Sequence, residues 1–289
     1  MKIFLFSILI GIGIVWSASI KAQDLQMLED SIASCQKTIA TAEEDHERLA
    51  ASEKCKEFLH LALSSPEAFD YPFESLQTMC TLTSPDAAFR FFNWNIPRND
   101  QTHQYVCFIL FPADEKQGSS YIELKELSRQ PDKMQSRTFD SDEWPGCLYY
   151  AIIPPQKNGR DFYTLLAWDG RDRMTNRKYI DAMLISKRDV KFGSAVFKTP
   201  IGVQKRMIFE YSDEATMSLK YHEDEQRIVF DHLAPRIAGM DGNFSFYGPD
   251  LTYNSFDWQK GNWVEQSNVD VRLKKGQDKR PYNDPRRMR

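Results

Sequence analysis

Several common signatures are missing from this chain. Its five cysteines, Cys35, Cys55, Cys80, Cys107 and Cys147, stand 20, 25, 27 and 40 positions apart. None forms a C-x-x-C pair, which excludes a zinc ribbon and a thioredoxin-like redox motif. An odd count cannot be fully paired within one chain, and Cys107 lies inside the apolar run "YVCFILF", where a small buried hydrophobe is expected. No G-x-S-x-G elbow occurs; "KFGSAVF" has Gly193-Ser194 and no second glycine to follow. No glycine-rich phosphate loop of the P-loop or dinucleotide type is present. The five histidines are scattered, and His222-Glu223 is not followed by the second histidine of a zincin helix. An excess of basic charge is also lacking. The formal net charge is −4, which argues against general nucleic-acid binding, since phosphates require a basic footprint. No cofactor is expected from these patterns.

What is present starts at the N-terminus. "MKIFLFSILIGIGIVWSASIKAQ" has a lysine, an apolar stretch from Ile3 to Trp16, and small residues ahead of a cleavage point after Ala22. It reads as a secretory signal peptide over residues 1–22, which places the mature chain in the periplasm or outside the cell. The apolar stretch is short of the ~20 residues of a membrane span, and no later window is longer, so no transmembrane span is expected after signal removal.

Residues 24–84 read as helical. Leu25, Leu28, Ile32, Cys35, Ile39, Ala42, His46 and Leu49 step by threes and fours, with Glu29, Lys37, Glu43, Glu44, Glu47 and Lys54 assigned to the opposite face. No Gly or Pro interrupts before Pro66, so one long helix, continuous or broken near its middle, is favoured over a hairpin folded back at "TAEEDHE". Only a fold-back would bring Cys35 and Cys55 face to face. The stripe suits packing on a domain or a homo-oligomer through residues 24–63. A second helical stretch is expected in "PEAFDYPFESLQTMCTL".

From residue 86 the apolar period shortens. Twelve short runs, among them Phe89–Asn95, Gln104–Phe111, Phe162–Trp168, Tyr179–Ser186 and Thr252–Trp258, are bounded by turn chemistry and are not interleaved with helices. Residues 86–273 are therefore expected to be mainly β: an antiparallel meander of hairpins, built as a sandwich or a partial propeller, behind a long N-terminal α-helical segment. "MIFEYSDEATMSLKYHEDEQRIVFDHL" reads as a three-stranded meander, and "LTYNSFDWQKGNWVEQ" as a hairpin turning at Lys260-Gly261. Residues 274–289 are basic and polar and read as a disordered tail.

One pattern recurs. "FRFFNWN" and "YTLLAWDG" each end an apolar run on a tryptophan, Trp94 and Trp168, and in each a tyrosine, Tyr105 or Tyr179, opens a new run 11 positions later. The intervening loops share no chemistry. This predicts equivalent hairpins of a repeating, two-fold or blade-like β architecture rather than a duplicated site.

Candidate functional residues are sparse. His222, Asp231 and His232 are catalytic candidates, because a hairpin could bring a carboxylate–imidazole pair together with a second imidazole. Tyr247, Trp258 and Trp263 could form a stacking platform for sugars. Asp169, Asp172 and Asn176 lie in a loop with loosely calcium-like spacing, although Arg171 and Arg173 oppose a cation there.

The segments "YPFESL", "TSPDAAFRFFNWNIP", "LYYAIIP", "YTLLAWDG", "RKYIDAML", "FGSAVF", "IFEYSDEATMSLKY", "RIVFDHLAP", "FYGPDLTY" and "VDVR" resemble those of an uncharacterised family of secreted or periplasmic proteins of the Bacteroidota. That resemblance implies a compartment and a source; it carries no reaction and transfers no site residues. The expectation is an exported, non-enzymatic envelope protein with a β-rich binding or scaffolding module, a helical docking or oligomerising segment, and an envelope protein or glycan as partner. The alternative is a secreted hydrolase acting on polysaccharide or peptide.

Overall fold

The computed structural model describes residues 24–114, 118–155 and 162–271. The expected signal peptide over residues 1–22 and the expected disordered tail over residues 274–289 lie outside the described residues.

The N-terminal region is helical as two elements, α1 (residues 24–41) and α2 (Asp45–Leu63). The single long helix is therefore corrected to a fold-back. The turn needs no glycine, because Arg48 supplies it. Its guanidinium donates to the carbonyls of Ala42 (3.0 Å) and Glu43 (3.2 Å), groups that a finished helix leaves without partners. The same side chain reaches Asp45, Pro97 O and Asn99, so the turn is tied to the β body. Leu25, Ile32 and Ile39 of α1 pack with Cys55, Leu59 and Ala62 of α2. Gln36 Nε2 bridges to Cys55 Sγ at 3.2 Å. Glu29 also lies on the buried face, against expectation, where it accepts hydrogen bonds from Tyr71 OH and Ser75 N.

The expected second helix is absent. Residues 66–79 run as turns and lead into a strand. Pro66 and Pro72 remove donors, Phe73 has φ 54°, and the carbonyls of Phe69 and Tyr71 are claimed by Arg90 at 2.7 and 2.6 Å.

The remainder is mainly β, in three sheets. The first has β1 (Cys80–Thr83), β2 (Arg90–Pro97), β3 (His103–Asp114) and β4 (Gly118–Leu124), antiparallel and in chain order. The second has β5 (Phe139–Asp140), β6 (Leu148–Ile153), β7 (Tyr163–Asp169), β8 (Thr175–Ser186) and β9 (Asp189–Phe192), in the order β5-β9-β8-β7-β6, with β12 (Arg206–Ser212) also paired to β8. The third has β10 (Phe197–Thr199), β11 (Gly202–Gln204), β13 (Leu219–His222), β14 (Arg227–Pro235), β15 (Tyr247–Gln259) and β16 (Asn262–Gln266), in the order β11-β10-β16-β15-β14-β13. Among the described strands only β10 and β16 pair in parallel. Among the described residues the sheets form neither a propeller nor a barrel. The three-stranded meander is corrected: β12 joins the second sheet, while β13 and β14 pair in the third. The turn at Lys260-Gly261 is as expected, with φ of 48° and 78°.

Strand periodicity explains how these pieces stack. Along β3, Tyr105, Cys107, Ile109 and Phe111 point into one core with Tyr149, Leu165 and Met183 of the second sheet. The alternate residues Val106, Phe108 and Leu110 join Phe92 and Trp94 beneath the helical hairpin. Likewise Leu166, Ile180 and Ala182 of the second sheet face Phe230, Phe256 and Trp263 of the third. The order is helices, first sheet, second sheet, third sheet. Strands buried on both faces read as near-continuous apolar runs, which is why "FRFFNWN" and "YVCFILF" barely alternate.

Candidate functional site

The tryptophan–tyrosine pattern leads to the site. Both copies lie in antiparallel hairpins, β2–β3 and β7–β8. Their tryptophans differ in role. Trp94 is buried beneath the helices and donates its indole N–H to Ser52 (3.0 Å), whereas Trp168 is half-buried with its edge against His103. The tyrosines converge. Tyr105 OH donates to Asp169 Oδ1 at 3.0 Å, and Tyr179 OH to Asp169 Oδ2 at 2.8 Å. Gln130 Nε2 adds a third donor at 3.0 Å, and Tyr105 OH itself accepts from Gly170 N. Asp169 is only 2% exposed, so these donors replace the water it gives up.

This carboxylate lies at the floor of a cleft of about 580 Å³ between the first and second sheets. The segment between β4 and β6 forms one wall. Backbone hydrogen bonds from Leu127 N to Trp144 O and from Trp144 N to Lys125 O close that segment at its base. Glu126 projects from it, accepting from Tyr105 N at 3.0 Å. Burial first, and the charge of Asp169 after it, push the Glu126 carboxyl up to about 7 against the pull of that N–H. Gly146 fits close behind. It has φ +77°, and a Cβ there would come within 2.3 Å of Glu126 Oε1. On the other wall Arg177 donates to Glu210 (2.8 Å) and to Gln130 Oε1 (2.8 Å), and Arg171 pairs with the same Glu210. His103 stands at the rim, its imidazole held down by burial although Asp169, Asp213 and Asp100 act against that. The cleft thus presents acidic and basic side chains in nearly equal number, most already fixed by partners within the chain.

The residues singled out from sequence fall as follows. Asp169 is in the cleft. Asp172 turns its own loop by accepting from Met174 N and Thr175 N, and Asn176 bonds Asp213, so the three do not converge on a point. Among the described residues no group of three or more His, Cys, Asp or Glu is placed to hold a metal. His222 ends β13 opposite Arg227, five residues along β14 from His232, a separation of roughly 17 Å at strand rise. Asp231 accepts from Ser218 N, and His232 instead pairs with Asp250 at 2.8 Å. Trp263 is fully buried and donates to Thr164, Trp258 packs between Phe162 and Trp263, and Tyr247 lies at the far end of β15 against Phe244. These aromatics form no shared platform. Glu126, Gln130, Arg177 and Glu210 carry no local signal; of the cleft residues the sequence singles out only Asp169 and Asp172, for a calcium-like loop, and the Trp–Tyr spacing reads as a repeat of hairpins rather than as a site.

No family model, curated protein or solved structure matches this chain.

Proposed function

We propose that the chain is an exported, non-enzymatic binding module of the cell envelope that holds a hydroxyl-rich ligand, a glycan, in the cleft over Asp169. The observation that carries this reading is the pre-arranged mixture of donors and acceptors on the walls. A sugar hydroxyl both donates and accepts, and it is served by carboxylate, amide and guanidinium groups side by side. Holding those groups in place beforehand reduces the ordering cost of binding. The near balance of charge suits a neutral ligand. The export signal and the resemblance to secreted Bacteroidota proteins support the compartment. The apolar stripe of the helical segment is used inside the chain, against the first sheet, so docking by that segment would fall to its outer face, where Met27 and Leu61 are 63% and 62% exposed.

One observation favours the hydrolytic alternative: a glutamic acid pushed up to about 7 can give a proton near neutral pH. Against it, the neighbouring Asp169 is only 2% exposed and both its oxygens accept hydrogen bonds from Tyr105, Tyr179 and Gln130, an environment that holds the stack together rather than one open to water or a sugar carbon. Titration of the exported chain against a panel of envelope glycans tests the proposal, with Glu126→Gln alongside. Saturable binding without release of new reducing ends is expected. Turnover by the native chain that Glu126→Gln abolishes would establish the hydrolase instead, and absence of glycan binding would remove the ligand class.

A further inference from the structure

The cleft is the first of three neighbouring hollows. A second, of about 280 Å³, adjoins it at His103 and Asp172, and a third, of about 610 Å³, adjoins the second at Gln101 and Asp213. All three are bordered by loops from one end of the sheet stack: residues 98–102 between β2 and β3, 170–174 between β7 and β8, 213–218 after β12, and 236–246 between β14 and β15. Asp213 N donates to Met174 O at 3.0 Å, joining two of these loops. At the middle hollow, a Cβ on Gly170 would come within 2.6 Å of both the His103 imidazole and the Trp168 indole. Glycine lets those two rings close up at the junction, edge to face with centroids 5.3 Å apart.

The chemistry changes along this path. The first hollow is polar, the middle one carries the half-buried Trp168, and the third is the most apolar. There Met174 is 58% and Ile237 49% exposed beside Phe246, with Arg173 and Arg236 at the border. We infer that the three hollows are consecutive subsites for a linear glycan of several units, the third accepting an apolar substituent such as an N-acyl group. This inference rests on the glycan reading of the cleft. Size supports it, because about 300–1,000 Å³ already holds one drug-sized ligand, and the first and third hollows each reach that range separately. Side-chain chemistry favours a sugar chain over an extended peptide. A pyranose presents an apolar C–H face to an aromatic ring while its hydroxyls reach mixed donors and acceptors, which is the combination offered at Trp168 between the two larger hollows.

The test is calorimetric titration of the exported chain with N-acetylglucosamine and its β-linked oligomers of two to six units, beside the matching glucose oligomers. Affinity is expected to rise at least about tenfold from one unit to four as successive subsites engage, and to be higher in the acetamido series. Met174→Asp with Ile237→Asp, both at exposed positions and checked for an unchanged thermal midpoint, is expected to remove the preference for the acetamido series and the gain that the third subsite adds beyond two units. Equal affinity for one unit and six would overturn the multi-subsite inference and leave the glycan reading standing. So would a gain beyond two units that the double variant leaves unchanged. If neither sugar series binds, or extended peptides bind the groove instead, both readings fail.

Discussion

Four chain segments meet at Asp169. It takes hydrogens from β3, β8 and the segment after β4, and its own strand is β7. Hydrogen bonds to an ionised group contribute more than neutral ones, and an orphaned buried donor costs its full desolvation. Asp169→Asn keeps the shape but offers one acceptor oxygen and turns an amide N–H toward a donor. It is expected to destabilise the fold by roughly 3 kcal/mol in urea unfolding, more than Tyr179→Phe. Glu126 predicts a pH dependence. A glutamate in the unfolded chain titrates near about 4.3, whereas burial pushes this one up to about 7. The native state therefore holds an extra proton between those values. Its contribution to stability is full below the unfolded value and falls as pH rises through the window. Relative to Glu126→Gln, the native chain should lose unfolding free energy from about pH 4.5 to about pH 7 and then level off. A difference that stays flat across that range would show Glu126 to be ionised throughout.

Elements were legible in sequence where one face or one turn decides them, and not where a distant side chain does. The hairpin at Lys260-Gly261 is local chemistry, and most strands from β2 onward were bounded to within a few residues. The break between α1 and α2 was legible only as the disfavoured fold-back at "TAEEDHE", because its stabiliser is Arg48 acting on carbonyls and on residues 97–99 of a different element. The loss of helix over residues 66–79 has a similar cause, with Arg90 of β2 holding the carbonyls of Phe69 and Tyr71. Arg48→Ala is accordingly expected to lower stability by roughly 2 kcal/mol and to speed amide exchange in α1 before the sheets. Exchange that rises equally everywhere would mean the turn is not a separate weak point. The candidate site was hidden for the same reason on a larger scale. Glu126 follows β4, Asp169 ends β7, Arg177 lies on β8 and Glu210 on β12, so no local pattern contains two of its walls.

At the scale of the whole molecule, the four-layer stack decides what each part can do alone. Both faces of the first sheet carry core: Phe89 and Phe91 serve the one shared with the second sheet, while Phe92, Trp94, Phe108 and Leu110 serve the one beneath the helices. Each large apolar side chain moved from water into such a layer contributes about 1.5–3 kcal/mol. A chain lacking residues 24–63 would present those aromatics to water as one contiguous patch, of the kind that drives association. It would also leave the Trp94 indole N–H without Ser52. The truncated chain is therefore expected to aggregate or to sediment as large species, while the chain that retains residues 24–63 keeps its cooperative unfolding. If the truncated form stays monomeric with the same urea midpoint, the helical hairpin is an appendage. In that case its apolar stripe becomes available for the self-association that the sequence pattern also allows.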